Sequence, residues 1–215
     1  MKTTMNILMK KSLVVLFTCL AIYAAAFTGT PLGEFKMLKT RNGIDLYYRW
    51  MRMSENNKVR QMKAVVEFNG DALDVKDLLK DEAQATGWIP SAEQFRNLTP
   101  VNGPEWASYI RFSIPWPFAD QDCILEFKES TGPDGETVID FRTNPDYLEK
   151  YDGISRMKEI SGSFVIRPLP NGNSLLECYF VSEKASVIPR WITEPIITGS
   201  LLSLMEALRD QLTEV

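Results

Sequence analysis

The stretch Ile114-Pro115-Trp116-Pro117-Phe118-Ala119-Asp120-Gln121-Asp122 decides how this chain is read, because two prolines and two aromatics interrupt a strand-rich region. Proline has no N–H to give to a sheet ladder, so Pro115 and Pro117 mark where one strand stops. The alternating segment Cys123-Ile124-Leu125-Glu126-Phe127 starts the next. Working outward, residues 94–101, 105–114, 123–129, 136–143, 155–167 and 174–183 read as successive strands of two-residue period. Asn102-Gly103-Pro104, Gly132-Pro133-Asp134-Gly135 and Pro170-Asn171-Gly172-Asn173 supply turns, and links this short predict an antiparallel meander. On the N-terminal side, 35–38 and 44–53 read as strands joined at Arg41-Asn42-Gly43, and 59–68 as a third. Residues 71–82 read as a short amphipathic helix with Asp71 or Asp74 as its cap.

Alternation places Ile110, Phe112 and Ile114 on one face of their strand, opposite Tyr109, Arg111 and Ser113. Cys123, Leu125 and Phe127 continue that face in the next strand, and Ile139 and Phe141 in the one after. The pattern predicts a half-buried sheet with a polar outer side. Cover for the apolar side comes from the C-terminus, where Ile197, Leu201, Leu204, Met205, Leu208 and Leu212 fall on one stripe of a helical period. With Pro195 in its first turn the helix runs to Thr213, about 28 Å long, and Trp191 sits on the turn before it. These patterns alone give an α+β class.

The Pro-Trp-Pro-Phe run followed by Asp120 and Asp122, between two antiparallel strands, resembles the START family, the lipid-transfer domains related to steroidogenic acute regulatory protein. Asn42-Gly43-Ile44, Gly87-Trp88-Ile89-Pro90, Arg156, Ser161-Gly162-Ser163-Phe164, Pro168-Leu169 and Ile188-Pro189-Arg190-Trp191 add to the resemblance, which spans residues 35–213. It implies a helix-grip fold, a curved antiparallel β-sheet wrapped around a long C-terminal α-helix. It also implies a tunnel between them for a lipid or other apolar small molecule. Ile110, Phe112, Ile114, Leu125, Phe127 and Phe141 then line the tunnel from the sheet, and Ile197, Leu201, Leu204, Met205 and Leu208 from the helix. Trp116 and Trp191, with Trp88, either form the mouth and touch a membrane interface transiently or plug the core edge. Arg156 matches a position where family members often carry arginine and is counted with the binding residues. Cholesterol-binding members place an acid and a base in the cavity where this chain has Ile110 and Phe127, so a fully apolar moiety is expected. Burying a methylene is worth roughly 0.8 kcal/mol, so a long acyl chain supplies about 10 kcal/mol before association costs.

Composition narrows the alternatives. A chain of 215 residues suits one domain, here 35–215 after a lead-in at 27–34. A net charge of −4 with scattered lysines and arginines gives nucleic acid no purchase. The absence of histidine removes the usual neutral-pH base and the commonest metal ligand, and two separated cysteines offer no zinc spacing. No metal and no cofactor is expected. Asp120 and Asp122 read as structural. A polyketide cyclase or aromatase-like enzyme of the same fold would draw on Tyr109, Arg156, Glu159 and Tyr179. The third reading is a closed-core protein-interaction domain.

Lys2, Lys10 and Lys11 precede the apolar run 12–26, which ends Ala24-Ala25-Ala26. This pattern predicts a signal peptide over 1–26 and export to a periplasm or the extracellular space. The run is shorter than the roughly 20 apolar residues of a membrane span. An uncleaved anchor, or a lipoprotein cut before Cys19, is the alternative. Without Cys19, Cys123 and Cys178 remain, and two strands lie between theirs in sequence, so both are expected as buried free thiols.

Overall fold

The computed structural model describes residues 29–114, 116, 119–182 and 190–213, with side chains of the last segment from 194 onward. The expected signal peptide, Pro115, Pro117, Phe118 and the Trp191 side chain lie outside the described residues. The strands are β1 (Thr30–Pro31), β2 (Lys36–Arg41), β3 (Ile44–Arg52), β4 (Lys58–Phe68), β5 (Ala92–Asn97), β6 (Glu105–Phe112), β7 (Gln121–Thr131), β8 (Thr137–Thr143), β9 (Ser155–Arg156), β10 (Ile160–Pro168) and β11 (Ser174–Ser182). The helices are α1 (Ala72–Lys80), α2 (Ala85–Trp88) and α3 (Arg190–Thr213).

The expected meander runs β5-β6-β7-β8-β10-β11 within one sheet. Its extension across the sheet is long-range. β11 pairs with β4 from Ser174↔Phe68 to Val181↔Gln61, which adds the β2–β3–β4 hairpins to the meander. Between these blocks, Asp71 starts α1 with a capping box: its Oδ1 accepts from Leu73 N at 2.6 Å, and its own N–H donates to Asp74 Oδ2 at 2.7 Å. α3 covers the apolar face through Leu201, Leu202, Met205, Leu208 and Leu212, all buried. The β2–β3 turn holds the helix there. Arg41 donates to Glu206 and to Ser203 Oγ, Asn42 donates to Glu206, and Arg209 Nη1 donates to the Asn42 carbonyl at 2.6 Å.

Several expectations shift. The strand read at 155–167 is two, because Glu159 takes a left-handed φ of 57° that ends the ladder. The lead-in is not loose throughout, since Thr30 and Pro31 pair by backbone alone with Arg52 and Met51. β9 lies parallel to β7. The C-terminal helix starts at Arg190, so Pro195 sits inside it and Trp191 belongs to the helix rather than to a preceding turn. Leu202, absent from the sequence stripe, is fully buried. Cys123 on β7 and Cys178 on β11 are free and buried, with β8 and β10 between their strands.

One inner-face row crosses the sheet as Trp106, Phe127, Phe141, Gly162, Phe180, Met62 and Tyr48. Gly162 is its one residue without a side chain, and a Cβ there would collide with the Phe141 ring and the Tyr179 carbonyl. The backbone contact cannot swing aside. Gly162→Ala is therefore expected to cost about 1–3 kcal/mol of stability, read as a lower urea midpoint; an unchanged midpoint would show that the row is loosely packed.

Candidate functional site

The apolar face of the sheet is built by strand parity. Trp106, Ser108, Ile110 and Phe112 of β6 face inward, with Cys123, Leu125 and Phe127 of β7, Ile139 and Phe141 of β8, and Phe164 and Ile166 of β10. The rings form a continuous ladder. Trp106 stacks on Phe127 at 4.8 Å and 7°, Phe127 tilts against Phe141 at 6.2 Å, and Phe141 against Phe164 at 5.4 Å. Offset and tilted contacts of this kind suit the ring quadrupoles.

Burial is not uniform along this face. At one end Ile166, Leu176, Val66 and Phe68 are at most 3% exposed. At the other, Phe112, Leu125, Ile160 and Phe180 are only half-buried. Those four residues lie toward the end of β6, in the first half of β7, at the start of β10 and toward the end of β11. Antiparallel pairing brings these to one end of the sheet, although Ile110 and Cys123, buried between Phe112 and Leu125, interrupt the trend. α3 follows the same gradient: Met205 and Leu208 are fully buried, Leu204 is half-buried and Ile197 is 37% exposed. At this end aliphatic and aromatic groups of the inner face pack against the core yet are still reached by solvent.

The sequence candidates divide accordingly. Ile110, Phe127, Phe141, Leu201, Met205 and Leu208 are in the packed part, and Phe112, Leu125 and Leu204 border the open edge. Ile114 is half-buried just beyond β6, and Trp116 stands 92% exposed. Trp88 is 4% exposed and belongs to the core. Trp106, Ile160, Phe164 and Phe180 were missed, although their parity with Ile110 and with one another announces the same face. Beside α3, Leu38, Lys39, Glu194, Pro195 and Thr198 line a cavity of about 360 Å³, on the helix flank rather than beneath it.

Arg156 is a correction. It lies beneath the outer face, not in the interior, because Asp122 has the parity opposite to Cys123 and Arg156 pairs with it. Nε donates to Asp122 Oδ1 at 2.6 Å and Nη2 to Oδ2 at 2.9 Å. The remaining donors reach the carbonyls of Pro145, Leu148 and Glu149. Both side chains are 1% exposed, and the hydrogen bonds to Asp122 raise the pKa of the guanidinium despite its desolvation. No donor is left for a guest. Asp120 has a similar duty: it accepts from Arg111 at 2.8 Å and from the Ile114 N–H at 3.1 Å, and these two bonds hold its carboxyl below the usual range. Together the aspartates fix both sides of the open edge. Tyr109 and Tyr179 also face outward, and Glu159 is exposed, so the acid–base candidates do not meet inside.

With this geometry the chain can be compared with known proteins. A STAR-related lipid transfer protein from Xanthomonas axonopodis superposes with a TM-score of 0.74, at 23% identity, covering 84% of this chain and 99% of that one. The chain has the START fold. Two human START-fold structures match at a TM-score of 0.67: STARD10, 12% identical, covering 89% of this chain and 77% of that one, and StAR-related lipid transfer protein 5, 14% identical, covering 96% and 97%. In sequence, an uncharacterised protein of Pseudomonas aeruginosa is 21% identical over 193 residues, 89% of this chain and 94% of that protein. No family model matches the chain. The sheet with its long covering helix thus agrees with the helix-grip expectation of the START fold.

Removing one partner of a buried ion pair strands the other. Arg156→Met should cost about 3–5 kcal/mol, measured by urea denaturation, and Arg156→Lys should not restore it because lysine cannot bridge both oxygens. Retained stability in Arg156→Met would contradict the structural role. Burial raises the Cys123 and Cys178 thiols from the usual 9.0 to about 12. Their protonated forms support the fold fully below about pH 9, and that support is lost as the pH climbs toward 12. Iodoacetamide should therefore label neither thiol in the native protein in mildly alkaline buffer and both in urea; rapid native labelling would contradict the burial.

Proposed function

We propose that this domain binds a lipid or other apolar small molecule between the inner face of the sheet and α3. The observation that carries the reading is the burial gradient: Phe112, Leu125, Ile160, Phe180 and Leu204 point inward but are only half-buried, while the far end of the same face is sealed. A guest laid against these residues would remove apolar area from water, worth roughly 25 cal/mol per Å². The likeness in fold to a protein described as a STAR-related lipid transfer protein supports the same reading. Trp116, 92% exposed beside the open edge, suits transient contact with a membrane interface during loading. The role is binding, with transfer between membranes as its extension; catalysis is not part of it.

Purified protein extracted with organic solvent is expected to release a co-purified lipid identifiable by mass spectrometry. Leu125→Trp, which places bulk at the open edge, is expected to weaken uptake of a fluorescent acyl probe by about tenfold or more, near 1.4 kcal/mol. Repeated extraction without any apolar compound, together with probe uptake unaffected by Leu125→Trp, would overturn the proposal.

A further inference from the structure

Trp106 carries a polar group that its packing does not satisfy. The indole is 3% exposed and stacks flat on Phe127. The Lys80 ammonium stands 4.5 Å from the ring centroid while donating to the Gly103 carbonyl at 3.3 Å. The ring edge remains, and there the buried Nε1–H meets no acceptor. Neighbouring polar groups are joined to one another: Ser108 donates to Asn97 Oδ1 at 2.8 Å, and Asn97 donates to the Lys80 carbonyl at 2.9 Å. Trp88, 4% exposed and in the same core, holds a second buried indole N–H without an acceptor.

Native interiors pair nearly all buried donors, because an N–H taken from water without an acceptor forfeits its hydration. We propose that the guest is not a pure hydrocarbon: it carries a neutral acceptor oxygen, as a ketone, ester or ether does, that receives the Trp106 indole N–H. This rests on the apolar-guest reading above. Trp106 shares its row with Phe127, which is two residues along β7 from Leu125. The oxygen would therefore lie level with Phe180 and one pleat, about 7 Å, from Leu125, with hydrocarbon to either side. The guest is selected by one oxygen.

The test is competition against a bound fluorescent apolar probe, anilinonaphthalene sulfonate, by a long-chain methyl ketone and by the n-alkane of equal length. The ketone is expected to displace the probe about 5- to 10-fold more effectively, the worth of one neutral hydrogen bond. Trp106→Phe, which keeps a ring on Phe127, is expected to collapse that ratio toward unity. The Trp106 indole N–H resonance of the unaltered protein is expected to move downfield with the ketone and not with the alkane, a readout that needs no variant. Equal displacement by both competitors with an unmoved resonance would overturn this inference and leave the apolar-guest reading standing. Displacement by neither would overturn both.

Discussion

The structure depends on how one long helix is fastened over a sheet that has a single apolar face. Such a face must be covered, and α3 is the element that spans it. Its C-terminal half is pinned from outside by the β2–β3 turn, where Arg41 and Asn42 grip Glu206 and the Asn42 carbonyl receives Arg209. It is pinned from inside by Leu202, Met205 and Leu208, each fully buried and worth roughly 1.5–3 kcal/mol when taken from water. Nearer its N-terminus the helix is tied by Glu194 to Arg60, whose guanidinium also lies 4.2 Å from the centre of the Tyr48 ring. That ion pair is part-exposed and adds little compared with burial. A lid fixed at one end and lightly tied at the other leaves the gradient seen on the inner face.

The open edge is held by polar groups that never enter it. Asp120 ties Arg111 and the Ile114 N–H, and Asp122 ties Arg156, which in turn gathers three carbonyls from residues 145–149. These charges sit on the outer face or beneath its loops, whereas Arg60 shares the parity of Met62 on the inner face and pairs there with Glu194. Within the wall the polar groups include Ser108 and the Trp106 indole N–H as well as Arg60, which pairs with Glu194 of the helix.

Much of this was legible in the sequence because the period-2 signal is local. Once Pro115 and Pro117 ended one strand, parity alone sorted Ile110, Leu125, Phe127 and Phe141 onto a single face, and the helical stripe named Met205 and Leu208. The pairing of β4 with β11 was not legible, since their residues are more than a hundred positions apart in sequence and no turn joins them. Arg156 misled because the strand containing it breaks at Glu159, so its side cannot be inferred from Phe164. The parity of Trp106 with Ile110 was legible within residues 105–114; that its indole N–H would be buried without an acceptor was not. Exposure along one face is a property of packing in three dimensions, and no pattern of residue types records which end of a sealed-looking stripe stays open.

The proposed function turns on where a guest lies. Intermolecular nuclear Overhauser effects between a bound saturated acyl chain and the protein test it most directly. Contacts are expected to the methyl groups of Leu125, Ile160 and Leu204 and to the Phe180 ring, with none to Ile166 or Leu176 at the sealed end. Contacts confined to the outer face or to the groove at Leu38 and Pro195, with the inner residues silent, would contradict it.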